Sequence, residues 1–149
     1  MTDVDTAHAL HLAGCACSQA VFGAFAPDHG LDQEVAIRLS AGFGGGMRRG
    51  DTCGAVAGAI MALGLARCPA GCRSADGRAA TYDAVLRFHA AFERRHGALA
   101  CRDLLGLDIS TPAGMEAAKA QNLFELRCRG FVRDAAEIVE NLLNARAGD

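Results

Sequence analysis

Apolar positions recur at intervals of three and four along most of the chain, the spacing of helices that bury one face. Residues 5 to 25 read as one amphipathic helix, with Leu10, Ala13, Cys17, Val21 and Ala24 on its apolar stripe. Leu31 to Ala41 reads as a short helix with Leu31, Val35 and Leu39 inward, and Ala79 to His96 as a longer one with Tyr82, Val85, Leu86, His89 and Phe92 inward. Ser110-Thr-Pro-Ala signals a further helix start, Pro falling in the first turn, and that helix runs to about Asn122. The last helix spans roughly Leu126 to Ala145, where Cys128, Phe131, Val132, Ala135, Ile138, Val139, Leu142 and Leu143 share a stripe. Cys101-Arg-Asp-Leu-Leu-Gly106 makes only a helical turn.

The stretch Asp51 to Ala66 breaks this pattern, because it has no polar face. After Asp51 it carries no charge and consists largely of Ala and Gly. It is too short for a membrane span, which needs about 20 apolar residues, so it belongs in the middle of a bundle. Gly54, Gly58 and Ala62, four apart, leave a shallow groove in which another helix can lie close. Asp51 or Thr52 can cap its start, and Gly42-Phe-Gly-Gly-Gly46 forces an irregular loop before it. The expected fold is therefore all-α. One domain covers residues 1–149, a bundle of about five or six helices around this central Ala/Gly-rich helix, without internal repeat or linker.

Composition agrees. Among 149 residues 51% are apolar and 21% charged, with no Trp and one Tyr, and Ala and Leu dominate over β-branched residues. A formal net charge of −2 leaves no excess of Lys or Arg to neutralise phosphates, which argues against nucleic acid as a partner. A homodimer is compatible with the surplus apolar surface of a small bundle.

Cysteine changes the picture. Seven of them cannot pair completely within one chain, and a chain kept in a reducing compartment points to metal binding or redox chemistry instead. Cys53, in the first turn of the apolar helix, feels the positive end of the helix dipole, and Arg48 and Arg49 lie just upstream. All of these favour a thiolate, which makes Cys53 the leading candidate for a reactive or ligating sulfur. Cys101 and Cys128 also stand near helix starts, and Cys17 faces inward from the first helix. These four are separated by 36, 48 and 27 residues, unlike the paired cysteines of a zinc ribbon, so only the fold can bring them together.

Other constellations carry less. His8, His11 and Cys15 share a helix face at metal-compatible spacing, although surface histidines usually do nothing of the kind. On a continuous helix Cys15 would be turned by about 200° from Cys17, away from the same site. Cys68-Pro-Ala-Gly-Cys72 can bridge or stay as two thiols, and His89 on an apolar stripe reads as a core histidine before it reads as a support for sulfur chemistry. Leu12-Ala-Gly-Cys15 resembles a lipoprotein cleavage box but lacks the basic start and apolar core of a signal, so a cytoplasmic protein is expected. Gly45 to Thr52 superficially resembles a phosphate loop, but Asp51 stands where that loop needs Lys and no strand precedes it. Nothing orders a nucleophile with His and a carboxylate for hydrolysis.

Cys53-Gly-Ala-Val-Ala-Gly58 matches a CGAxxG signature, accompanied by Cys17-Ser-Gln-Ala-Val, Phe43-Gly-Gly-Gly, Cys101-Arg-Asp-Leu-Leu-Gly and Cys128. From Cys17 to about Leu143 the chain resembles the redox-active protein family named for the pattern C_GCAxxG_C_C. The resemblance implies a small helical protein with four family cysteines, Cys17, Cys53, Cys101 and Cys128. The family is itself similar to the iron–sulfur part of split-Soret cytochromes, which implies a cluster as cofactor. Cys15, Cys68 and Cys72 lie outside the pattern. No Cys-x-x-Cys-His is present, so covalent haem is not expected.

Three readings follow. Four thiolates suit a [2Fe–2S] or [4Fe–4S] cluster, or alternatively tetrahedral Zn, in a protein passing electrons to a partner the sequence does not name. Alternatively Cys53 attacks and a second family cysteine resolves it, as in thiol–disulfide exchange. In the third reading the cysteines only pack, being small and readily buried.

Overall fold

The computed structural model describes residues 1–68 and 72–145. These residues form eight α-helices, α1 Asp3–Leu12, α2 Cys17–Phe25, α3 Gln33–Ser40, α4 Gly54–Arg67, α5 Ala75–His96, α6 Cys101–Leu105, α7 Pro112–Ala120 and α8 Arg129–Asn144. The only extended pairing among them is an isolated antiparallel bridge between Thr52 and Ala100. The fold is thus all-helical, with two more helices than the upper expectation. The turn at Cys101 counts as α6, and the expected helix over residues 5 to 25 is two.

That division has a local cause. Thr2 and Asp5 exchange side-chain and backbone hydrogen bonds in a capping box that starts α1, and Gly14 at φ +107° ends it. The chain restarts at Ala16, whose N–H donates to the Gln19 side chain. Ala13, expected on the buried stripe, is exposed. Cys17 becomes the first residue of a new helix rather than the middle of an old one.

α4 buries Gly54 to Ala59, Ala62 and Leu63 and packs against α2, α5 and α8. Its small residues serve the approach of α2. A Cβ at Gly58 would sit 2.6 Å from the Ser18 carbonyl oxygen, and one at Gly54 would lie 3.1 Å from the Ser18 N. The first turn of α2 therefore lies almost backbone to backbone on α4. Ser18 Oγ is fully buried there and donates to the Ser40 carbonyl at 2.7 Å, tying the end of α3 to the same point.

Two inner faces differ from the sequence reading. α3 turns Ala36 and Ser40 inward and leaves Val35 and Leu39 exposed. Gln19 donating to the Ile37 carbonyl and Gln33 donating to that of Gly23 fix this rotation. α5 buries Phe92 as expected, but with Ala84 and Phe88, while Tyr82 and Leu86 are exposed. Phe92 lies 5.8 Å from Phe88 and 6.2 Å from Phe131 between ring centres. Three large rings close that side of the core, and burial of such rings outweighs the alternative stripe.

The α2–α4 contact sets a test. Gly58→Ala is expected to cost about 1–3 kcal/mol by forcing the two backbones apart. Gly130→Ala, on α8 with open space around it, is expected to be neutral or to stabilise by up to about 1 kcal/mol. Urea unfolding followed by helical circular dichroism reads both. Equal effects would contradict a contact specific to Gly58.

Candidate functional site

Four helix starts supply four sulfurs to one place. Cys17 and Cys101 are the first residues of α2 and α6, and Cys53 and Cys128 stand immediately before α4 and α8. All four line a cavity of about 400 Å³. Cys53, Cys101 and Cys128 are buried, and Cys17 is partly so. Apolar walls come from Leu104, Leu105, Ile109, Met115, Phe124 and Phe131.

The bridge at Thr52 and Ala100 holds two of the sulfurs in register. The Cys53 N–H donates to the Leu99 carbonyl at 2.8 Å, and the Cys101 N–H donates to the Asp51 carbonyl at 2.6 Å. Cys53 itself, rather than Asp51 or Thr52, takes the cap position of α4. Upstream, Gly45 to Arg48 run through four consecutive left-handed residues. At Gly46 a Cβ would lie 2.5 Å from the Asp51 N and O, so this turn closes on Asp51 only with glycine there. The turn directs Arg48 to the cavity wall, whereas Arg49 turns to Asp51 at 3.8 Å.

The thiols differ in acidity. Burial pushes Cys53 up to about 11, although the N–H groups of Val56 and Ala55 at the start of α4 pull the other way. The helix-start stabilisation expected from sequence is therefore present but outweighed by desolvation. Burial likewise pushes Cys101 up to about 12, helped by Cys53, Cys128 and Asp108 and opposed by Arg48. Cys17 and Cys128 influence each other's acidity in opposite directions. Cys17 is held well above the ordinary thiol range, and Cys128 is drawn below it.

Two more residues reach the cavity. Cys15 lines it, contrary to the expectation that a continuous helix would turn it away from Cys17. The helix break at Gly14 removes the 3.6-residue periodicity on which that expectation rested. His11 also lines the cavity, with Nε2 3.8 Å from Cys17 Sγ, and its burial lowers its basicity. His8 and His89 do not line it.

Among the described residues, no group of three or more His, Cys, Asp or Glu is disposed to hold a single metal ion. The thiols stand around a space rather than about a point. Cys17, Cys53, Cys101 and Cys128 share this one cavity wall. Cys68 and Cys72 lie elsewhere, joined as a disulfide with a Cα–Cα distance of 5.9 Å. No described helix is long and apolar enough to cross a membrane.

The protein is all-helical, and its helix starts gather four cysteines around one shared cavity. The family described as "Putative redox-active protein (C_GCAxxG_C_C)" matches residues 15–142. The chain belongs to that family. No curated protein and no solved structure matches it. His11 lies outside the matched residues.

Two measurements check the electrostatics on reduced, metal-free protein. As pH rises, Cys128 is expected to be the first of the cavity thiols alkylated. Cys17→Ala should move that reaction to higher pH, slowing it about tenfold for each unit of pKa lost at a given pH. Peptide mass mapping reads the order, and earlier reaction at Cys53 or Cys101 would contradict it. Because Cys53 and Cys101 are raised in the folded chain from 9.0 to about 11 and about 12, their contribution to stability is complete below the unfolded thiol pKa. It is lost as pH climbs through those folded values. The urea midpoint should therefore fall from about pH 9 upward, and fall less in the Cys53→Ala/Cys101→Ala protein.

Proposed function

We propose that the protein is an electron carrier that holds an iron–sulfur cluster through Cys17, Cys53, Cys101 and Cys128. The observation that carries this reading is the convergence of four sulfurs, remote in sequence and borne by four different helix starts, on the wall of one cavity. Such a cluster supplies one-electron transfer at potentials set by its charge, its hydrogen bonds and its exposure.

The chain's own groups account for how several thiolates can be kept together. Gathering negative charge in an apolar space is costly, as the raised thiol values at Cys53 and Cys101 reflect. The N–H groups of Ala55 and Val56 at the start of α4 favour a Cys53 thiolate, and Arg48 and Arg129 stand at the cavity wall. These donors and cations offset that charge without reorganisation. The apolar residues Leu104, Leu105, Ile109 and Phe131 on the wall lower the local dielectric around the sulfurs. Zinc is the less favoured occupant, because it requires four sulfurs about one point at roughly 2.3 Å.

A second reading draws on the Cys17–Cys128 pair. A neutral thiol beside an acidified sulfur is the arrangement needed for disulfide formation and exchange. Here Cys128 is the nucleophile, rather than Cys53.

Anaerobic purification with iron, acid-labile sulfide and zinc analysis distinguishes the two. The expected result is brown protein containing iron and sulfide, and loss of both in Cys53→Ser and Cys101→Ser. Colourless, metal-free protein that resists reconstitution with iron and sulfide would overturn the cluster. If it also forms a Cys17–Cys128 disulfide on mild oxidation, exchange takes its place.

A further inference from the structure

Outside the cavity, one other pair of sulfurs is set for chemistry. Cys68 follows the last turn of α4 and Cys72 precedes α5, and the two are joined as a disulfide. Neither belongs to the family's cysteine set. The fourteen residues of α4 separate Cys68 from Cys53, about 20 Å at 1.5 Å per residue, so the two sulfur sites are at opposite ends of one helix.

The two partners have different surroundings. Cys68 lines an open groove with Phe22, Leu39, Phe43, Met61 and Leu65, and Leu39 on its rim is 59% exposed. Arg67, just before it, donates to the Leu142 carbonyl at 2.8 Å, which fixes the end of α4 against α8. Cys72 folds instead against the first turn of α5. Its Cα and Cβ come within 3.1 and 3.2 Å of where a Cβ on Gly77 would stand, beside the Ser74 cap. There it feels the positive end of a 22-residue helix, and a helix start stabilises a thiolate. A cysteine lining an open groove, bonded to one beside a helix start, separates the roles of attacked atom and leaving group. Exchange is faster when the leaving thiol is the more acidic.

We propose that Cys68 and Cys72 form a second redox site, a disulfide that exchanges with an external dithiol entering through the groove beside Cys68. A thiolate of that dithiol attacks Cys68 Sγ. The Cys68–Cys72 bond breaks, a mixed disulfide forms at Cys68, and Cys72 departs as a thiolate that takes a proton from water. The second thiol of the dithiol then attacks its own sulfur in the mixed disulfide and releases Cys68 as a thiol. The external dithiol loses two electrons and two protons, and the protein gains them as two thiols.

The test uses the full chain, loaded or metal-free, because only residues 68 and 72 are read. Protein treated with oxidised glutathione is exposed to dithiothreitol under native conditions, alkylated and mapped by mass spectrometry. The expected result is a gain of two alkylated thiols, at Cys68 and Cys72, with helical circular dichroism retained, and their loss again on reoxidation. In Cys72→Ser, oxidised glutathione should leave a mixed disulfide at Cys68. Two results would overturn the proposal. One is alkylation of both residues before any reductant is added. The other is a bridge that opens only after denaturation, which is the behaviour of a fixed staple. Neither depends on whether the distant cavity holds a cluster.

Discussion

The close approach of α2 to α4 is the contact on which the rest of the arrangement depends. Only glycine at residue 58 lets the backbone at Ser18 come so near, and Gly54 eases the same approach. The hydroxyl of Ser18, buried in that contact, is satisfied by the Ser40 carbonyl, so a polar group is removed from water without being left unpaired. The sulfurs follow from this geometry. Cys17 precedes Ser18 and Cys53 precedes Gly54, so pressing those residues together brings the two sulfurs to one cavity wall. The Thr52–Ala100 bridge then fixes Cys101 beside Cys53, and α8, packed on both α2 and α4, delivers Cys128.

Such a gathering works against itself electrostatically. In a small apolar cavity each buried thiol resists ionisation, and each neighbour that ionises makes the next harder to charge. Cys53 and Cys101 show the first effect, being shifted mainly by burial. Cys17 and Cys128 show how one neutral thiol limits the cost, since Cys17 is held above the ordinary thiol range while Cys128 is drawn below it. Helix starts contribute N–H groups that need no rearrangement to meet a negative sulfur. Arg48 adds a cation that the left-handed turn from Gly45 holds in place. The fold thus stores acidity differences among chemically identical side chains, which is what a redox centre needs.

Much of this was legible in the chain. The helical class, the apolar Ala/Gly stretch with its small-residue groove, and the four separated cysteines near helix starts all follow from spacing and residue size. Other features were hidden for identifiable reasons. Periodicity puts Phe92 inward but cannot rank Tyr82 and Leu86 against Ala84 and Phe88 beside it, because both sets recur at helical intervals and only the partner helix decides. A glycine within a helical run reads equally as a tolerated residue or a break, and at Gly14 the second reading carries Cys15 into the cavity. Sequence favours Cys53 as a thiolate because a helix start is visible in it, whereas the depth of burial is not. The choice between bridge and thiols at Cys68 and Cys72 turned on backbone geometry that a short Pro-Gly spacer leaves open.

The central claim is that sulfurs far apart along the chain are neighbours in space. It is tested most directly with phenylarsine oxide, a trivalent arsenical that bonds two thiols only when they are close together. The protein should carry Ser at residues 15, 68 and 72 and be reduced, metal-free and folded. The account predicts tight adducts with one arsenic joining two peptides, drawn from those of Cys17, Cys53, Cys101 and Cys128. Arsenic that bonds only after unfolding, or never links two of these peptides, would contradict it.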